Sequence, residues 1–321
     1  MNISMIGRHL IRIKVLQTLY AYKRTENPEF ENFNKELEFS LKKSYEQYLM
    51  FLLILVEIRR YAEMRIGQIK ERQIKNDAAW QRIQRLADNR VLLQLENNAQ
   101  LQKIIEHEKI SLVNYQIPFK KIFNTIIDSE TESYNEYIAS EDTYKNDNNF
   151  IRVVLQNIIA ESELLADTFE DNSIFWNDDV DSVISMVEKT IKSFSEKNPE
   201  GGEILPMFAD ADTHDFGFTL FIKTLNSWDE LTPYIQKNLK NWELERVAEM
   251  DIIIMHLALT EMIVFKEIPI PVSMNEYVEL AKWYSTQNSG KFVNGVLHKV
   301  SEELKSEGKI KKVGRGLIEK L

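Results

Sequence analysis

Side chains able to do chemistry are sparse in this chain. Five histidines, His9, His107, His214, His256 and His298, are scattered with no pair at metal-ligand spacing. No cysteine is present to act as nucleophile, thiolate ligand or disulfide partner. Asp210, Asp212, His214 and Asp215 could form an oxygen-rich metal loop, but acids clustered before an apolar periodic stretch fit a helix N-cap better. There is no glycine-rich phosphate loop and no nucleophile motif. What stands out is a group of cations, Arg8, His9 and Arg12, at the start of a helical stretch. Positive charge there opposes the helix macrodipole, at a cost of roughly 0.3 kcal/mol or more. That placement is poor for stability and suited to phosphate. The expectation is a binding protein with no catalytic residue, no cofactor and no metal.

The elements that must position these groups are helices. The sequence is rich in Leu, Ile, Glu, Lys and Asn and poor in Gly (10) and Pro (7), which favours an all-α protein. Arg8 to Arg24 reads as one mostly buried helix. Near the other end, Val247 to Phe265 carries apolar residues on all sides and reads as a central core helix. Pro269 and Pro271 then suggest a connector over 266–272. Ser273 and Glu276 have capping-box spacing, so a helix is expected to start there, and Ser289 is expected to cap the next one, ended by Gly308. Gly295, inside that last helix, suggests a close approach by another backbone.

The order E-M-D-x(4)-H-L-A-L-T-E-M, then I-P, then M-N-E-Y-V-E-L-A-K, then S-G-K-F-V-N-G-V-L within Trp242 to Leu304 resembles the NusB family of transcription antitermination factors. The resemblance covers roughly 206–304, and the helix over 8–24 resembles the family's arginine-rich first helix, with Leu19 and Tyr20 matching its L-Y pair. His9 and Leu10 stand where further arginines would be expected, which implies weaker RNA affinity or a basic surface elsewhere.

The resemblance implies a NusB-like helical bundle, here enlarged by an additional helical insertion. It also implies a function without a reaction: binding a boxA-type single-stranded leader RNA together with the ribosomal small-subunit protein NusE, in contact with RNA polymerase. Such a site needs cations for phosphates and flat side chains for unstacked bases. On that basis Arg8, His9 and Arg12 are candidate phosphate partners, Tyr20 a stacking or polar contact, and Lys291 with Phe292 a cation and ring. Asp251, at a position resembling an acidic one beside the family's RNA site, could accept from a base amine. Tyr20 and Phe292 could equally be core residues, and Asp251 could serve only in a salt bridge. Asn275, Glu276, Asn294 and Gly295 are read as mainly architectural, and His256 as a core or rim residue. The competing readings are a protein-interaction module of the transcription and ribosome-assembly machinery with reduced RNA binding, and a ribosomal RNA methyltransferase. The second lacks its α/β domain and cysteines.

The domain reading is 1–24 as the first helix, 25–205 as the insertion, 206–304 as the C-terminal module and 305–321 as a frayed basic tail. The net charge of −10 divides unevenly: residues 1–24 carry five Lys/Arg and no acid, and the acidity sits mainly in the middle. Within that middle, Arg59 to Arg90 is locally basic, read either as solvated ion-paired helix faces or as an RNA-facing strip. Phe150 to Phe194, shifted by 66 positions, resembles the segment from Phe216 onward, with Trp176 over Trp242. That suggests either a decayed duplication of a helical hairpin or coincidental periodicity. The N-terminus shows no export signal, and the longest apolar run, Leu49 to Val56, is too short to span a bilayer, so a cytoplasmic location without membrane contact is expected.

Overall fold

The computed structural model describes residues 3–71, 77–128, 130–176, 179–239 and 246–318. Among these every regular element is helical. The chain forms two compact units, one of residues 1–6 and 42–209 and the other of 7–41 and 210–321. Trp242, where the C-terminal block begins in the sequence reading, lies outside the described residues. No described helix is long and apolar enough to cross a membrane.

The second unit holds all the candidate residues. It comprises α1 (Arg8–Arg24), the first turns of α2 (Phe30–Glu71), α11 (Ala211–Asn238), α12 (Glu249–Val264), α13 (Ile270–Tyr284) and α14 (Ser289–Ser306). α12 is at its centre because it is apolar all round. Ile253, Ile254, Leu257, Leu259 and Met262 are each 1% exposed or less, and α1, α11, α13 and α14 pack about it. Where α1 crosses α11, Gly217 permits contact that a side chain would block, since a Cβ there would lie 2.7 Å from Ile11 Cγ2. Phe30 opens α2 and stacks on Phe221 with ring centroids 5.7 Å apart.

Several boundaries differ from the sequence reading. α11 is one unbroken helix across Pro233: the proline falls on its exposed side, and Leu220, Phe221, Leu231 and Ile235 hold both halves to one core. Asp210 caps α11 as expected, its carboxylate accepting from Thr213 N at 2.7 Å. α13 starts at Ile270, ahead of the expected capping box, because Pro269 and Pro271 fit a first turn whose N–H groups have no helical partner anyway. The N-cap position of α14 is Asn288, and Ser289 is its first helical residue. Gly295 is exposed, and among the described residues nothing lies within 4 Å of a Cβ placed there, so no described backbone approaches it. Gly308, with φ +70, ends α14 as expected. The segment expected to fray is held down: Val313 N donates to Lys266 O at 3.0 Å, and Lys309 pairs with Glu230 at 2.6 Å.

The first unit is built on the remainder of α2 together with α3 (Asp77–Ala87), α4 (Arg90–Asn97), α5 (Ala99–Glu108), α6 (Gln116–Ile127), α7 (Glu132–Ala139), α8 (Tyr144–Val154), α9 (Glu163–Asn172) and α10 (Val180–Ser193). Much of the basic run in it is neutralised locally. Arg60 lies 2.8 Å from both Glu57 and Glu96, and Arg90 is 2.6 Å from the buried Asp147. Arg59 pairs with Glu63, and Arg85 with Asp142. Arg72 and Lys75 lie outside the described residues. Shifted by 66, α8 to α9 overlies α11 nearly end to end, but a π turn at Leu155–Ile159 interrupts the earlier pair where α11 is unbroken.

Candidate functional site

Two ion pairs fix the direction of α1 on α12. Arg12 meets Glu261 through two hydrogen bonds of 2.8 Å, and Arg24 meets Glu249 at 2.6 Å. The residues advance by twelve along one helix and retreat by twelve along the other, so the helices run antiparallel. The start of α1 therefore lies at the end of α12, and the end of α1 at its start.

The cations at the start of α1 are largely consumed there. Arg12, expected to contact phosphate, is 3% exposed and locked to Glu261, whose carboxylate also accepts from Ser273 Oγ at 2.7 Å and Tyr277 Oη at 2.9 Å. Its role in this structure is to neutralise a buried acid. His9 lies 2.8 Å from Glu276, which is also 3.4 Å from Arg12. Burial acts to raise the Glu276 carboxyl, but the hydrogen bond from His9 and the Arg12 charge outweigh it and hold it below the ordinary range. Arg8 alone of the three remains both exposed and outside these ion pairs, its guanidinium 5.3 Å from the Phe216 ring centroid.

The remaining candidates gather at the opposite end of α12. Asp251, in its first turn, is 4% exposed and accepts from Ser289 Oγ at 2.8 Å, tying the start of α12 to the start of α14. Asp251 Oδ1 has no protein hydrogen-bond partner. In the first turn of α14 come exposed Lys291 and half-buried Phe292, beside N-terminal amides that favour an anion. Half-buried Tyr20 belongs to this end as well, with the Arg24 guanidinium 5.5 Å from its ring centroid. Asp251 and Glu261 are ten residues apart, about 15 Å along a helix axis. The candidate residues thus divide between the two ends of α12, with Arg8 exposed at one and Asp251, Lys291 and Phe292 at the other.

Sequence reasoning passed over Lys23 and Trp228. Lys23 Nζ sits 3.6 Å from the Trp228 ring centroid, and the opposite partner of that ring is His256, at 3.7 Å and 12°. Burial lowers the Lys23 ammonium despite the Asp229 charge, and burial with the Lys23 charge pushes His256 down to about 3. The interleaving could not be found from helical periodicity, because Lys23 in a last helical turn is the ordinary complement to the macrodipole. Among the residues read as architectural, Glu276 takes that part through Arg12. Asn275 and Asn294 instead line a cavity of about 530 Å³ between α13, α14 and the C-terminal segment. Lys312 reaches the same cavity, its ammonium pushed down to about 8 by burial despite the charge of Glu261.

The profile described as the NusB family matches residues 183–302, a span that begins in α10 and contains α11, α12, α13 and most of α14. A transcription antitermination protein NusB of Salinibacter ruber is 42% identical over 114 residues, 36% of this chain and 71% of that protein.

This chain belongs to the NusB family.

Proteins of the same description from Chloroherpeton thalassium and Bacillus pumilus are 40% and 38% identical, over 111 and 98 residues; these spans cover 35% and 30% of this chain and 53% and 75% of those proteins. No solved structure matches the chain. The family match includes Asp251, Lys291 and Phe292, whereas Arg8, His9, Arg12 and Tyr20 precede it. It also reaches 23 residues further upstream than the 206 boundary read from the sequence.

Proposed function

We propose that this NusB-family chain is a cytoplasmic transcription antitermination factor that binds boxA-type single-stranded RNA together with NusE, supporting processive transcription of ribosomal RNA. No reaction is involved. The observation that carries this reading is the grouping at the start of α12 and α14. Exposed Lys291 offers a cation for phosphate and half-buried Phe292 a ring for an unpaired base, while buried Asp251 holds the start of α14 to α12 through Ser289. RNA polymerase enters through the assembled complex rather than through a contact assigned here.

Filter binding of a boxA-type RNA, with and without NusE, tests the proposal. The expected result is RNA retention that NusE strengthens and that competing double-stranded RNA does not remove.

A second reading, a protein-interaction module with reduced RNA binding, draws on a separate observation. At the start of α1, Arg12 is paired with buried Glu261, and His9 lies 2.8 Å from Glu276. It predicts NusE binding that survives undiminished in the absence of RNA, with no retention of RNA alone or with NusE.

A further inference from the structure

Trp283 is 79% exposed, the most exposed large apolar side chain among the described residues. It sits in the last turn of α13, a helix whose core face is set by Tyr277, Leu280 and Ala281. At 100° per residue Trp283 projects well away from that face, so it has no packing duty to explain it. Water-exposed indole surface forgoes the stabilisation that burying it would give.

Most of its chain neighbours are polar. Glu279, Lys282, Thr286, Gln287 and Asn288 are all exposed. Lys282 pairs with Glu279, and its stem lies against Gly290, where a Cβ would approach Lys282 Cγ to 2.7 Å. This contact fixes the last turn of α13 against the first turn of α14. Trp283 follows one of the touching residues and Lys291 follows the other, so an exposed ring and an exposed cation are held on adjoining, rigid helix ends.

We infer that Trp283 is a stacking platform for an unpaired base, extending the Lys291–Phe292 surface along a single-stranded RNA. The inference rests on the RNA-binding reading above. Trp283 and Lys291 put an exposed ring and an exposed cation on adjoining helix ends, the combination that single-strand binding uses: charge for the backbone and a flat face for each base. Stacking is tolerant of base identity because every base has a π-face.

The test is fluorescence anisotropy with the full chain and labelled single-stranded oligouridylate and oligoadenylate, comparing wild type, Trp283→Ala, Trp283→Phe and Lys291→Ala across a salt series. Trp283→Ala is expected to weaken both RNAs by about tenfold, while Trp283→Phe stays within about threefold of wild type. The salt slope is expected to be unchanged in both Trp283 variants, because no phosphate partner is lost. Melting temperature serves as the folding control. If Lys291→Ala weakens binding but Trp283→Ala matches wild type, the Trp283 inference is overturned and the RNA-binding reading stands. If Trp283→Ala leaves RNA affinity intact and abolishes NusE binding, the platform is a protein contact and the inference is again overturned. If the wild-type chain binds neither RNA, with or without NusE, the inference is overturned, and the reading beneath it falls as well only if a boxA-type RNA run alongside is also not bound.

Discussion

Arg12 and Glu261 form a doubly hydrogen-bonded pair at 2.8 Å across the interface of α1 and α12, with side-chain exposures of 4% and 0%. Two charges in so dry a place are tolerable only because each satisfies the other and because Ser273 and Tyr277 complete the carboxylate's coordination. Removing one partner strands the other.

Arg12→Ala or Glu261→Ala is therefore expected to cost about 3–5 kcal/mol of folding stability. Arg12→Lys should recover only part, because an ammonium cannot reproduce the two parallel bonds. Urea unfolding midpoints check this. An Arg12→Ala chain as stable as wild type would show that the pair contributes nothing, and would return Arg12 to the list of RNA ligands.

His256 makes stability depend on pH. It is fully buried, stacked on Trp228, and its Nε2 lies 3.3 Å from Thr232 Oγ1. Burial and the Lys23 charge push its pKa down to about 3, against an ordinary value of 6.5. Between those values the unfolded chain binds the extra proton, so the contribution is complete above about pH 6.5 and is lost as pH falls, by up to about 1.4 kcal/mol per pH unit. His256→Gln should flatten this part of the stability curve. Equal pH slopes for the two chains between about pH 4.5 and 6.5 would contradict the assignment.

Two glycines should respond in opposite ways to alanine. At Gly217 the new Cβ meets Ile11 at 2.7 Å in a packed core, and the expected cost is about 1–3 kcal/mol. At Gly295 nothing lies within 4 Å, and the helix interior should gain roughly 0.5–1 kcal/mol. Thermal melts of the two variants are a direct comparison, and a destabilised Gly295→Ala would mean that the position has a neighbour the fold does not show.

The same glycines indicate which parts of the fold the sequence could disclose. A central helix at 249–264 was legible because apolar residues on every side of a wheel leave no alternative to burial. The direction of α1 against α12 was not, since Arg12 and Glu261 are 249 residues apart and nothing local signals their pairing. The α1 sequence therefore carries no sign that Arg12 is withdrawn from solvent while Arg8 stays exposed. Helix starts were misjudged where two signals competed: Ser273 and Glu276 have capping-box spacing, yet both side chains are occupied by α1 and α12, and the prolines ahead of them open the helix. Gly295 looked like a close-approach glycine because sequence records only that a side chain is missing. Gly217, which truly needs the space, sits in an unremarkable part of α11.

The central claim is that RNA engages the start of α14 rather than the buried pair at the start of α1. Its most direct test is the affinity of the full chain for a boxA-type single-stranded RNA, measured against salt concentration for wild type and Lys291→Ala. The expected result is salt-sensitive binding by wild type, with Lys291→Ala weaker and its slope of log affinity against log salt shallower by about 0.7–1. Binding by Lys291→Ala that matches wild type at every salt concentration, or wild-type binding that salt does not change, would contradict it.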